Sequence, residues 1–353
     1  MTDDAEILFE RQGPIEFVTL NRPAALNALT LEMCQSLERK LAEWERDAEV
    51  AAVVIRGAGT RAFCAGGDIR AIYQAARAGD PLTATFFWAE YRLNRRIFHF
   101  PKAYVALIDG VTMGGGVGVS AHGSDRVATE RTSFAMPETG IGLFPDVGAS
   151  YFLPRLPGRL GLYLGLTGYR MKAADCVYSE AVTHTVDSAD LAAIEEALIA
   201  ADWDGDPVAV AADTIQRFAS DPGEPPLAAH RAEIDRCFDA GSVEAIFLNL
   251  EEEGSAWAEQ TLALLQSRSP SSLKIAFRAI QEGAVLDFDQ VMVMEYRLSQ
   301  ACIAAHDLSE GIRAVVIDKD NAPAWQPASL ADVTDDLLDG YFAPLGERDL
   351  VFG

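Results

Sequence analysis

Short apolar runs alternate with helix-spaced apolar positions through the first half of the chain. "EFVTLNRP" (16–23) predicts a strand that stops at a proline, which cannot donate to a ladder. "TLEMCQSLERKLAEWERD" (30–47) puts Leu37, Leu41 and Trp44 on one helical face, with Thr30 as N-cap and Glu32 in the first turn. "AAVVIRG" (51–57) predicts a buried strand closed by the turn-rich "AGTRAFCAGGD". A helical stretch follows from about Asp68 to about Phe98, broken near "AGDP" (78–81). Next come the strand "AYVALIDG" (103–110), the glycine-rich "MGGGVGVSAHG" and the strand-like "DRVATERTSFAMPE" (125–138). Strands alternating with helices predict an α/β architecture with buried parallel pairing.

After about residue 190 the period changes. "LAAIEEALIAA", "EAIFLNLEEEGSAWAEQTLALLQS", "SLKIAFRAIQEG" and "FDQVMVMEYRLSQACIAA" are helical by spacing, with "SDPGEPP" (220–226) as a loop among them. Two regions are expected, 1–190 and a mostly helical 191–353.

Charge narrows the partners. The 353 residues carry 29 basic and 53 acidic side chains, a net charge of −24. Nucleic acid and anionic membranes both demand a positive surface, so neither is an expected partner. A small anionic ligand needs only local donors and stays open. The five cysteines (Cys34, Cys64, Cys176, Cys237, Cys302) are scattered, without a C-x-x-C pair, and signal neither zinc nor a disulfide framework. The acidic opening "MTDDAEILFE" has no apolar signal core, and no apolar run reaches membrane-spanning length. A cytoplasmic protein is expected.

Three stretches attract attention as chemistry. In "YVALIDGVTMGGGVGVSAHG" a buried strand runs into Gly114, Gly115 and Gly116, which open a helix. Glycines there cost about 1 kcal/mol each relative to alanine. Gly116 and Gly118 suit close packing of a helix on a sheet, and bare N–H groups at such a start also suit a ligand oxygen. "RAFCAGGDIR" (61–70) is a second strand-to-helix turn, with Asp68 as helix cap. Two such turns can each give one N–H to a shared carbonyl oxygen, the arrangement acyl chemistry uses. The third stretch, "FAMPETGIGLFPDVGAS" (134–150), sets Glu138 and Asp146 among apolar residues, glycines and prolines, where unpaired charge is costly. No G-x-S-x-G elbow occurs around Ser120, and the five histidines show no metal-ligand spacing.

In their order, "NRPAALNAL" (21–29), "AFCAGGD" (62–68), "IDGVTMGGG" (108–116) and "FAMPETGIGLFPDVGASYFLPRL" (134–156) resemble the crotonase (enoyl-CoA hydratase/isomerase) superfamily. The resemblance continues through "LTGYRMKAADCVYSEAVTHTVDS" (166–188), "SPSSLKIAFRAI" (269–280), "MEYRLSQAC" (294–302) and "EGIRAVVIDKDNAPAWQPASL" (310–330). These later motifs, and the length, are similar to its 3-hydroxyisobutyryl-CoA hydrolase branch. The resemblance implies a crotonase-like spiral of ββα repeats with a helical C-terminal region, and a CoA thioester as substrate. Residues 1–190 become the CoA-binding and catalytic core. No separate cofactor is implied, CoA being part of the substrate, and a homo-oligomer is possible.

Residue roles follow by motif position. Gly67 and Gly115 would supply the oxyanion-hole N–H groups. Ala25, Leu26 and Ala65 would line the CoA adenine; its phosphates need cationic or backbone donors, and Arg22, Arg61 and Arg70 sit on motif loops, though surface arginines commonly do nothing specific. Hydratases of the family use two glutamates; here Gly118 stands in place of the first and Glu138 keeps the second. The hydrolase branch instead pairs that glutamate with an aspartate eight residues on, here Asp146. Glu138 would be general base for water or would attack the thioester itself. Asp146 would orient water or substrate, or move a proton. Close together in an apolar wall, the two should differ in pKa, one acid and one base. Glu90, in "FFWAEYRLN" (86–94), would accept a hydrogen bond from a substrate 3-hydroxyl, unless it is an ordinary helix carboxylate paired with Arg92 or Asn94. Short-chain 3-hydroxyacyl-CoA hydrolysis, as in valine degradation, is the expected activity. Enoyl-CoA hydration or isomerisation is the alternative, and a non-catalytic binding module, for example on RNA, is a third.

Overall fold

Branched and small apolar residues make six strands that pair in the order Ile7–Gln12, Ile15–Leu20, Ala52–Gly57, Ala103–Ile108, Asp125–Thr129 and His184–Val186. The first pair is antiparallel and the rest are parallel; Val18 lies beside Ile55, and Ile55 beside Ala106. Runs such as "AYVALI" are buried throughout, as parallel strands covered on both faces require. Three times a strand of this sheet is followed by a shorter one: Ala62–Cys64, Val111–Met113 and Ser133–Ala135 form a second, parallel sheet. Each short strand then enters a helix, at Ile69–Ala78, Gly115–Gly118 and the 3₁₀ turn Glu138–Ile141. That is the expected ββα repetition.

The computed structural model describes residues 5–352, so the first four residues of the acidic N-terminal stretch lie outside them. Two compact units are built from interleaved segments. The first runs through Gly67 and takes in Arg92–Ala135 and Arg170–Pro226; the second comprises Asp68–Tyr91, Met136–Tyr169 and the chain from Leu227.

In the first unit, alternate strand residues Ile15, Phe17, Ala52, Val54, Val105, Leu107 and Val127 face Ile194, Leu198, Ala211 and Ile215. Helices Leu191–Ala200 and Pro207–Gln216 therefore close this core. Each fully buried valine or leucine there contributes about 1.5–3 kcal/mol relative to leaving it in water. Helical character thus begins near residue 190, while the sheet's own unit extends to Pro226.

Helices dominate the second unit. The longest from residue 227 on, Pro270–Gly283 and Phe288–Ala304, pack against the short helix Ala149–Phe152. Both begin with strong caps: Ser269 accepts from Ser272 N–H, and Asp287 with Gln290 forms a capping box. A Cβ on Gly283 would stand 1.9 Å from the Ser150 carbonyl oxygen, so only glycine lets the helix end approach the 149–152 backbone this closely.

Candidate active site

The second unit brings Glu138 and Asp146 together. Glu138 opens the 3₁₀ turn Glu138–Ile141, and Gly142 reverses the chain at φ 77°. A Cβ on Gly142 would lie 2.1 Å from the Asp307 carbonyl oxygen, so helix His306–Ile312 packs directly on this turn. Thr139 is tied on both sides: its hydroxyl donates to the Leu166 carbonyl at 3.0 Å, and its carbonyl accepts from Ser269 N–H at 3.2 Å. Asp146 follows the buried Leu143, Phe144 and Pro145, and its carbonyl accepts from Ala149 N–H at 2.9 Å. Both acids are nearly excluded from solvent, Glu138 at 5% and Asp146 at 4% exposure.

Glu90 joins them from helix Leu82–Phe98. It is 2% exposed, and its Oε1 has no hydrogen-bond partner among the described residues. Arg92 approaches Glu38 at 3.6 Å, and neither polar atom of the Asn94 side chain has a hydrogen-bond partner among the described residues. Glu90 is therefore no surface helix carboxylate with a cation beside it. Glu138 Oε2 is likewise buried and unpartnered. An orphaned buried carboxyl oxygen is expensive and calls for an explanation. A ligand or water that completes it is the common one.

Burial dominates the electrostatics. It raises Glu138 well above the ordinary carboxyl range, and the Asp146 charge raises it further. Glu90 is raised well above the same range by burial, then by Asp146 and Glu138. Asp146 is also pushed up by burial, to about 6, against the pull of a hydrogen bond from Tyr91. That bond, Tyr91 hydroxyl to Asp146 Oδ2, is 2.7 Å and buried. Burial and the acid's charge raise Tyr91 in turn, so its hydroxyl stays protonated and donates. Of the two, Glu138 is the one favoured to hold a proton, because the Tyr91 hydroxyl stabilises the charged form of Asp146.

Two members of this cluster escape a reading of the sequence. Tyr91 looks like one more aromatic among Phe86, Phe87 and Trp88, and it does pack edge-on to Phe87 and Tyr296. Glu295, in "MEYRLSQAC", looks like a helix carboxylate. Yet it is fully buried and accepts the N–H groups of Gly148 and Ser150. Burial and the Asp146 charge push it up to about 8, while the two donors pull it back. The available signal was its run of apolar neighbours, Val291, Met292, Met294 and Leu298, which place it on an inward face.

The first unit holds the two glycine turns, and it sets them side by side. A Cβ on Gly66 would lie 3.3 Å from the Met113 carbonyl and 3.7 Å from Gly115 N, and Gly66 itself has φ 113°. One on Gly116 would fall 2.1 Å from the Cys64 carbonyl oxygen, so close packing is the reason for glycine there. The bonds that hold these turns come from Leu29 N–H to Gly66, Ala65 N–H to Leu26, and Val117 and Gly118 N–H to Gly114. None of them uses the N–H of Gly67 or Gly115. Leu26 has φ 53° and Asn27 φ 57°, a left-handed pair. The buried Asn27 amide holds them by donating to the carbonyls of Ala58 and Ala62. Ala25 is exposed, and Leu26 and Ala65 are half-buried.

The arginines of the motif loops are engaged. Arg22 pairs with Glu6 at 3.0 Å and donates to the Ala28 carbonyl; Arg61 donates to the Pro23 carbonyl, and in the second unit Arg70 donates to that of Val316. The Ser120 hydroxyl donates to the Gly116 carbonyl at 2.8 Å. All five cysteines are buried, and none forms a disulfide. Among the described residues no group of histidines, cysteines and acids is arranged to hold a metal, and no helix is long and apolar enough to cross a membrane.

Comparison with known proteins places the chain in a family. Residues 15–342 match the family model described as enoyl-CoA hydratase/isomerase. The chain is 51% identical to 3-hydroxyisobutyryl-CoA hydrolase, mitochondrial, of Danio rerio, over 98% of this chain and 91% of that one. It is 48% identical to the protein of the same name from Homo sapiens, over 99% and 92%. Among solved structures, a carnitinyl-CoA dehydratase from Mycobacterium thermoresistibile is similar at TM-score 0.92 and 40% identity, covering 99% of each chain. An enoyl-CoA hydratase from Rhodobacter sphaeroides is similar at TM-score 0.90 and 36% identity, over 99% of this chain and 100% of its own.

Proposed function

The chain belongs to the enoyl-CoA hydratase/isomerase family, and within it we propose a thioester hydrolase that converts 3-hydroxyisobutyryl-CoA, an intermediate of valine degradation, to 3-hydroxyisobutyrate and CoA. The observation that carries this reading is the buried pair of Glu138 and Asp146, both raised in pKa by burial, with an unpartnered oxygen on Glu138. The hydrolase relatives, near 50% identity over almost the whole chain, support the same reaction.

The pair accounts for a closed proton cycle. In the resting protein Glu138 holds the proton and Asp146 is ionised. A shift of that proton to Asp146 frees the Glu138 carboxylate, which takes a proton from water as the oxygen attacks the thioester carbon. The carbonyl oxygen gains charge and is received by the N–H groups of Gly67 and Gly115. Collapse breaks the carbon–sulfur bond, and Asp146 returns its proton to the CoA thiolate. Glu138 is again protonated and Asp146 ionised. If Glu138 attacks directly, a mixed anhydride forms and water cleaves it, with the same proton count. Glu90 accepts the substrate 3-hydroxyl, and Ala25, Leu26 and Ala65 line the adenine. No separate cofactor enters the scheme.

The hydratase and dehydratase names of the similar solved structures favour a second reading. Gly118 weighs against it, because it leaves one glutamate where hydration employs two. Thiol release from 3-hydroxyisobutyryl-CoA, measured beside loss of the conjugated-enoyl absorbance of crotonyl-CoA, separates the two. The hydrolase reading expects fast thiol release and little hydration; hydration without thiol release overturns it. A homo-oligomer is also proposed, to be read by light scattering. So is a cytoplasmic location, on five buried cysteines that form no disulfide. Its animal relatives are named mitochondrial, and cell fractionation distinguishes the compartments.

A further inference from the structure

We propose that Glu295 is a positioning residue that fixes the turn from which Asp146 works. The inference rests on the thioester-hydrolase reading. Glu295 lies in helix Phe288–Ala304 at 0% exposure. Its Oε2 accepts Gly148 N–H at 2.7 Å and its Oε1 accepts Ser150 N–H at 2.9 Å. Among the described residues no cation pairs with it. A glutamate buried in this way is costly to keep. A residue needed only to fill the space could be leucine or methionine. Both of its oxygens are instead committed to the backbone of one turn, beginning two residues after Asp146.

That turn needs holding. Val147 has φ 53°, a left-handed conformation in which a β-branched residue is strained, and Gly148 follows at φ 89°. Strain of this kind persists only where the surroundings over-determine it. The Glu295 carboxyl at one end and the Asp146 carbonyl, closed by Ala149 N–H, at the other provide that. Asp146 is thereby gripped twice. Tyr91 holds its carboxylate at 2.7 Å, and Glu295 holds the backbone behind it. Glutamine at 295 would keep one acceptor and set its NH₂ against the second backbone N–H.

Thiol release from 3-hydroxyisobutyryl-CoA is followed for the wild type, Glu295→Gln, Glu295→Asp and Leu298→Ala, the last deleting a fully buried side chain from the same helix. A wild type that releases no thiol defeats the hydrolase reading, whatever the variants do. Given wild-type turnover, Glu295→Gln is expected to lower kcat about 30-fold or more with KM within about threefold. Glu295→Asp, which keeps both carboxyl oxygens but is one methylene short, recovers part of it. Leu298→Ala lowers Tm and, assayed below it, keeps kcat. In an Asp146→Asn background Glu295→Gln costs no more than about threefold further, since the residue it positions is gone. Full kcat in Glu295→Gln overturns the inference, as does an equal loss in Leu298→Ala. If Glu295→Gln does not fold, full kcat in Glu295→Asp overturns it as well.

Discussion

At the scale of single residues, the site is a set of carboxyls whose protonation is set by what surrounds each one. Tyr91 is the simplest to test. Its hydroxyl donates to Asp146 and favours the ionised form, so Tyr91→Phe raises the Asp146 pKa from about 6. The proton cycle needs one proton on the pair. kcat/KM should therefore rise as pH increases through about 6, where Asp146 ionises, and fall again where Glu138 loses its own proton. In Tyr91→Phe the acidic limb moves to higher pH; a limb that stays in place contradicts the role given to the hydroxyl. Glu90 is tested by Glu90→Met, which removes the acceptor at similar volume. The preference for 3-hydroxyisobutyryl-CoA over isobutyryl-CoA, measured as a ratio of kcat/KM, should drop about tenfold or more. An unchanged ratio places the 3-hydroxyl elsewhere.

The elements show why some of this was readable in advance and some was not. The helix Leu31–Trp44 with its Thr30 cap, the strands Ala52–Gly57 and Ala103–Ile108, and the break at "AGDP" all declare themselves through local periodicity and turn chemistry. The edge strand Ile7–Gln12 does not, because "ILFERQ" turns charged halfway along and only its antiparallel neighbour defines it. Periodicity also says which face of Leu191–Ala200 is apolar, but not that a sheet from much earlier in the chain covers it. Glu138 and Asp146 stood out as acids in an apolar stretch. Tyr91 and Glu295 did not, since their meaning lies in partners 55 and 147 residues away. Glycine's role at the helix entrance is checked by Gly116→Ala, whose methyl group would overlap the Cys64 carbonyl. Urea unfolding should show a loss of about 3 kcal/mol. A loss under about 0.5 kcal/mol, the range of ordinary surface changes, would mean that the contact relaxes freely.

For the whole molecule, keeping acids buried makes stability depend on pH in a definite direction. Glu90 and Glu138 have folded-state pKa values above the unfolded ones. The folded chain therefore retains protons that the unfolded chain releases above its ordinary carboxyl range, and stability falls as pH rises through the folded values. Glu90→Met removes one such group. Its gain in urea stability over the wild type should be larger at pH 8 than at pH 5, and a gain independent of pH contradicts the raised Glu90 value. Such a gain alongside lost discrimination is the trade expected where a buried polar group serves substrate rather than fold. The net charge of −24 acts on the same scale: an anionic ligand such as a CoA thioester has to be met by local donors against a field of its own sign. Of all the measurements, thiol release from 3-hydroxyisobutyryl-CoA by the wild type and Glu138→Gln bears most directly on the chemistry. Turnover by the wild type, lowered about 10³-fold or more by the substitution with the fold intact, is the predicted result. Undiminished release by Glu138→Gln would contradict a hydrolase built on this carboxyl pair.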